Sequence, residues 1–142
     1  MRYRIGGVDE NRWMTQSQPC PCRRGEPFER CCGPVLAGER GAPTAEALMR
    51  SRYTAFAVGD GEYLRRSWHS SRRPPVVEID DDQRWMFLEI VRVERGGPFD
   101  DTGVVEFVAH YRADGVRGSL HEVSRFARED GAWVYVDGVI EP

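Results

Sequence analysis

Leu48, Met49, Arg52, Tyr53, Phe56 and Ala57 recur at three- and four-residue spacing, the period of a helix with one buried stripe. Thr44 precedes Ala45, and Glu46 places an acid in the first turn. The helix is therefore expected to start on a threonine N-cap and to end near Gly59. A shorter helix is predicted from Gly61 to Trp68, stopped by Pro74-Pro75. Strand-like patterning then takes over. Arg84 to Glu94 is rich in Trp, Phe, Ile and Val, Gly103 to Ala113 and Ser119 to Arg128 alternate, and Ala132 to Val139 closes the chain. Gly96-Gly97-Pro98, Asp114-Gly115 and Asp130-Gly131 punctuate these runs. The intervals are too short for crossover helices, so the strands pair as an antiparallel meander. Helices followed by a curled antiparallel sheet make an α+β fold.

Alternation sorts strand residues into faces. Val105, Phe107, Ala109 and Tyr111 share one side of the second strand, and Leu120, Glu122, Ser124 and Phe126 share one side of the third. A carboxylate among large apolar neighbours is costly to bury unless paired, which singles out Glu122. Arg52 would pair with it as a clamp between helix and sheet, the preferred reading. His69 would instead give it acid-base chemistry in an open pocket, because imidazole side chains in general can exchange protons near neutral pH. Weak catalytic candidates are thus His69, Glu122, Tyr53 and Arg52. His110 and His121 read as exposed or cross-strand residues, Trp68, Trp85 and Trp133 as core with at most one lining a cavity, and Asp80-Asp81-Asp82 as a solvated loop.

The four cysteines fall within thirteen residues, Cys20-Pro-Cys22, eight residues, then Cys31-Cys32. That concentration reads as one structural zinc site, because a four-cysteine tetrahedron leaves no open position. Two disulfides are the rival reading. Residues 1–18 lack the apolar run of a secretory signal, so a reducing cytoplasm is expected and the metal reading preferred. Arg23, Arg24 and Arg30 are expected to offset the charge of four thiolates. Residues 1–18 read as a disordered N-terminal extension, and Met14 would itself make a start, which leaves open whether residues 1–13 belong to the native protein.

The stretch Cys20-Pro-Cys22-Arg-Arg-Gly25-Glu-Pro27-Phe28-Glu-Arg-Cys31-Cys32-Gly33 resembles the SEC-C motif, a zinc knuckle also found at the C-terminus of the SecA translocase motor. Its usual Gly-Ser-Gly-Lys loop is here Arg23-Arg24-Gly25-Glu26, so the spacing is kept and the lysine lost. With Ala42-Pro43-Thr44 through Phe56, Ser67-Trp68-His69, Glu122 to Phe126 and Trp133 to Gly138, the chain resembles the YchJ family of small bacterial proteins. The resemblance implies a zinc knuckle at residues 19–38 and a nuclear transport factor 2-like cone at residues 39–142, without implying a particular activity.

At 142 residues and 40% hydrophobic, the chain can bury a single core. All 20 basic residues are arginine and the net charge is −3, so no general basic field draws nucleic acid. No run of about 20 apolar residues would span a membrane. Phosphate-loop, dinucleotide, zinc-protease and nucleophile-elbow motifs do not occur, which leaves the chain leaning away from an enzyme. The expected function is a protein-binding adaptor using the knuckle. By resemblance to the SecA knuckle, which engages the SecB chaperone and the ribosome, its partner would be linked to translation or export. The alternative is a small-molecule binder or enzyme using the cone-shaped pocket around His69 and Glu122. A cavity of about 300 Å³ or more with His69 or Glu122 exposed inside it would favour the alternative, and a filled cone the adaptor. A homodimer through the exposed sheet face is a further expectation, as is loss of Cys31 disordering residues 19–33 while sparing the later domain.

Overall fold

The long helix starts where its cap residue dictates. In the computed structural model, which describes residues 18–142, Thr44 Oγ1 accepts a hydrogen bond from the Ala47 amide at 3.0 Å, and the helix runs Ala45–Val58. It ends at Gly59, whose left-handed φ of 82° lets its amide turn back onto the Ala55 carbonyl. Before it, a 3-10 turn at Phe28–Arg30 leads into a short helix, α1, at Cys32–Leu36. The long helix is α2, and α3 spans Gly61–Arg66. Four strands follow, β1 (Gln83–Arg95), β2 (Thr102–Ala113), β3 (Val116–Glu129) and β4 (Ala132–Glu141), in an antiparallel meander of order β1-β2-β3-β4. The α+β architecture read from the pattern is the one observed. The expectations for residues 1–17 lie outside the described residues, and Gln18 accepts a backbone bond from the Phe28 amide at 3.2 Å.

The sheet is curled by irregularities. Register shifts between Trp85 and Phe87 and between Ile90 and Arg92 mark bulges that bend β1, and β3 shifts against β4 between Arg125 and Phe126. These bulges keep Trp85, Leu88, Ile90 and Val93 opposite the inward residues Tyr111, Ala109, Phe107 and Val105, although β1 does not strictly alternate.

Two differences concern the helices. α3 ends at Arg66 rather than Trp68, because the chain beyond it joins the sheet: Tyr135 donates its amide to the Ser67 carbonyl at 2.9 Å, and His69 donates to the Tyr135 carbonyl at 2.8 Å. In α2 the expected stripe includes Ala57, which is exposed, and omits Ser51, Thr54 and Ala55, which are buried. The reason is that α2 is covered on more than one side. Its Leu48, Met49 and Tyr53 belong to a cluster with Leu88, Phe107 and Phe126 of the sheet, and the same cluster contains Cys20, Cys22, Cys31 and Cys32. The cysteine segment therefore shares its core with the helix and sheet.

Candidate metal centre and candidate binding cavity

The cysteines converge because the chain reverses tightly between them. Cys20 donates its amide to the Glu26 carbonyl and accepts from the Arg23 amide, both at 2.9 Å, with Arg23 at φ 62° and Gly25 at φ 106°. Phe28 folds back over Gly33, where an added Cβ would lie 2.8 Å from the Phe28 carbonyl oxygen. Phe28 is therefore part of the knuckle's own packing.

All four thiols are free and buried, with every pair of Sγ atoms within 4.8 Å, Cys22 and Cys31 at 3.6 Å and Cys31 and Cys32 at 4.0 Å. A regular tetrahedron with metal–sulfur bonds of about 2.3 Å has edges of about 3.8 Å, so the set fits one ion. Hydrogen bonds from Cys22 and Cys32 hold the Cys20 thiol far below its ordinary value. Burial first, then the charges of Cys22 and Cys20, pushes Cys31 up to about 12, and the hydrogen bond to Cys20 raises Cys32 strongly. By themselves the packed sulfurs share few negative charges; a bound dication would stabilise all four as thiolates. The four cysteines can thus hold a metal ion.

Of the arginines expected beside the cysteines, Arg24 lines a surface pocket together with Cys31 and Cys32, whereas Arg23 reaches elsewhere and Arg40 and Arg50 join in. Arg23 leaves the cluster, donating to the Met86 carbonyl at 3.4 Å and lying 6.0 Å above the Phe87 ring. Arg50 donates to the Cys22 carbonyl at 2.8 Å and Arg40 to the Cys31 carbonyl at 3.1 Å. Thr54 of α2 lies 3.7 Å from Cys20 Sγ.

The second feature is a cavity of about 310 Å³ between α2 and the concave face of the sheet. Aromatic side chains, among them Tyr53, Phe56, Trp68, Trp85, Tyr111 and Tyr135, line it, and Arg52, Gln83, Ser119, Glu122 and Ser124 are the polar residues of its wall. Two of the tryptophans expected in the core, Trp68 and Trp85, line it, while Trp133 is buried.

The structure revises both partnerships proposed for Glu122. Its Oε2 accepts from Ser124 Oγ at 2.8 Å and from the Tyr135 hydroxyl at 3.0 Å. Arg52 does not clamp it. Its Nη1 donates to the Leu64 carbonyl at 2.8 Å and to Ser67 Oγ at 2.6 Å, and its guanidinium lies 4.5 Å from the Tyr135 ring centre and 5.1 Å from that of Trp68. The cation satisfies itself on backbone, hydroxyl and aromatic faces, and attracts Glu122 only through space. Burial pushes it down to about 10, which leaves it charged at neutral pH.

His69 is outside this cavity. Its Nδ1 is 2.8 Å from Ser71 Oγ and its Nε2 3.9 Å from Glu129, because the bridge to β4 turns residue 69 away from Glu122. The pocket is therefore built around Glu122 without His69. Tyr53 does line it, in edge contact with Trp85 at 5.9 Å, and burial raises its phenol to about 12. His110 stacks on Phe87 at 4.1 Å and His121 lies 2.7 Å from Glu106, the cross-strand contacts expected of them.

Tyr135 and Ser124 are the site residues that sequence reasoning missed. Gly138 was the available signal. A Cβ there would sit 1.8 Å from Glu122 Oε2, so the glycine vacates the space that the carboxylate occupies.

Among the described residues, no helix is long and apolar enough to cross a membrane. Residues 44–138 match the family model described as YchJ, middle NTF2-like domain. The UPF0225 protein of Streptomyces coelicolor is 55% identical over 84% of this chain and 94% of its own length. That of Chromobacterium violaceum is 48% identical over 85% and 92%. Among solved structures, a SEC-C motif containing protein from Rhodopseudomonas palustris superposes with a TM-score of 0.75 at 32% identity, covering 87% of this chain and 98% of that one. One from Psychrobacter arcticus, at 24% identity, shares the fold with a TM-score of 0.73 over 91% and 86%. The cysteine cluster and the curled domain behind it place this chain in the YchJ family, the UPF0225 proteins, with a SEC-C motif ahead of an NTF2-like domain.

Proposed function

We propose that this protein is a zinc-stapled small-molecule binder of the reducing cytoplasm, with the NTF2-like cone as its binding site. The observation that carries this reading is the cavity of about 310 Å³ against α2, a size within the range of ligand pockets, in place of a filled cone. Zinc is the expected ion because four cysteine sulfurs are a soft, tetrahedral donor set. Such ligands stay reduced in the cytoplasm. Zinc's role is structural, since all four of its positions would be taken by protein.

The test is titration of the isotope-labelled chain with a set of small aromatic fragments, followed by nuclear magnetic resonance. Shifts confined to cavity residues such as Phe107, Ala109 and Leu120, and abolished by Ala109→Leu, support the reading. A cavity that accepts no fragment overturns it.

An adaptor role is favoured by one separate observation. Arg23 ties the cysteine loop to β1 beside Met86 and Phe87, which are 42% and 40% exposed, so loop and strand form one mixed surface with exposed Arg24. A protein linked to translation or export, or a second copy of the chain, would be its occupant. Cosedimentation with ribosomes that Arg24→Glu abolishes would support the first and concentration-dependent sedimentation the second. A monomer that binds no such component would sink both.

A further inference from the structure

The two oxygens of Glu122 have different surroundings. Oε2 is held by Ser124 and Tyr135 and packed over Gly138, whereas among the described residues nothing donates to Oε1. Ser124 is fully buried and fixes the carboxylate from the β3 side, while Tyr135 fixes it from β4. A carboxylate anchored through one oxygen at the wall of an aromatic cavity keeps the other as a hydrogen-bond acceptor. Arg52 attracts this carboxylate and is stacked against Tyr135 and Trp68, so a cation and an anion already offset each other within the site. A charged ligand would upset that balance in surroundings that solvate it poorly. Apart from Gln83 and Ser119, the remaining wall is aromatic and aliphatic and suits a flat apolar ring. A cavity of about 150 Å³ accommodates one benzene ring, and this one is about twice that volume.

We propose that the cavity selects an uncharged aromatic compound of about two fused rings that carries a hydroxyl or N–H group, donated to Oε1 of Glu122. The proposal rests on the small-molecule reading above and adds the ligand class and the residue that recognises it.

The full chain is titrated at neutral pH with 2-naphthol, indole, naphthalene and 2-naphthoate, reading the indole signals of Trp68 and Trp85 and the amides of Ser124 and Tyr135. Indole and 2-naphthol are expected to bind at least about tenfold more tightly than naphthalene, the ratio one hydrogen bond to a charged acceptor supplies. The naphthoate should bind more weakly still. Glu122→Gln, which keeps the shape but replaces the charged acceptor, should shrink the preference for 2-naphthol over naphthalene severalfold. Because the ligand series is run on the unaltered chain, the conclusion does not depend on that variant folding. Equal binding of 2-naphthol and naphthalene overturns the donor selection while leaving the cavity a binding site. Tighter binding of the naphthoate overturns it in favour of recognition by Arg52. Failure of all four compounds to bind overturns this proposal together with the small-molecule reading.

Discussion

Arg52 and Glu122 show how far a residue's chemistry can be read before its neighbours are known. Their inward positions and the need of each for partners follow from the period of α2 and the alternation of β3. The partners themselves come from backbone carbonyls, hydroxyls and rings distant in sequence. Tyrosines make a testable contribution at this scale. Burial raises Tyr53 to about 12, and also raises Tyr63 and Tyr135, so each folded phenol holds its proton above the unfolded value near 10. Their stabilising effect is complete below about pH 10 and lost as pH rises through about 12. The lowered value of Arg52 acts in the opposite sense, but it is one group against three. Tyrosinate absorbance and circular dichroism followed together should show ionisation of these phenols coinciding with unfolding. Full ionisation with the fold intact would refute their burial.

At the scale of elements, the caps and turns were legible because they are local. Thr44, Gly59 and the Asp-Gly turns act on atoms within four residues. Thr44→Ala should cost about 1 kcal/mol in urea unfolding, the usual loss of a side-chain N-cap. A stability unchanged within a few tenths would mean that the cap bond contributes nothing. Gly138 works across strands instead. Gly138→Ala should displace the Glu122 carboxylate, since the new methyl would overlap Oε2, and so weaken 2-naphthol more than naphthalene. Equal losses for the two compounds would show that the glycine sets cavity shape only. The end of α3 was misread because its cause, the bridge between Trp68 and Tyr135, joins residues far apart in sequence.

Considered whole, the molecule has its candidate metal site, the four cysteines, embedded in its core rather than appended to it. Cys20 touches Thr54, Arg50 reaches the Cys22 carbonyl, and the four cysteines join the cluster containing Leu48, Phe107 and Phe126. This changes the expectation that losing Cys31 would spare the later domain. Elemental mass spectrometry should find one zinc per chain, with the thiols titratable only after chelation or denaturation. Chelation or Cys31→Ser should lower the midpoint of a single cooperative melt. A knuckle that melts separately, with the strand signals unmoved, would show that the shared core does not couple the two parts. Metal-free protein with two disulfides would overturn the centre itself.

From the sequence alone came the α+β order, the meander, the cap of α2, the cysteine set and the inward face carrying Glu122. Each depends on spacing within one element or between neighbours in the chain, where period and turn chemistry act directly. Tertiary structure alone decided that His69 faces away from Glu122, that Ser51 and Thr54 are buried, and that the cone holds a cavity. Those outcomes arise where the cysteine segment, α2 and β4 meet, and burial there is set by distant surfaces that no local pattern encodes.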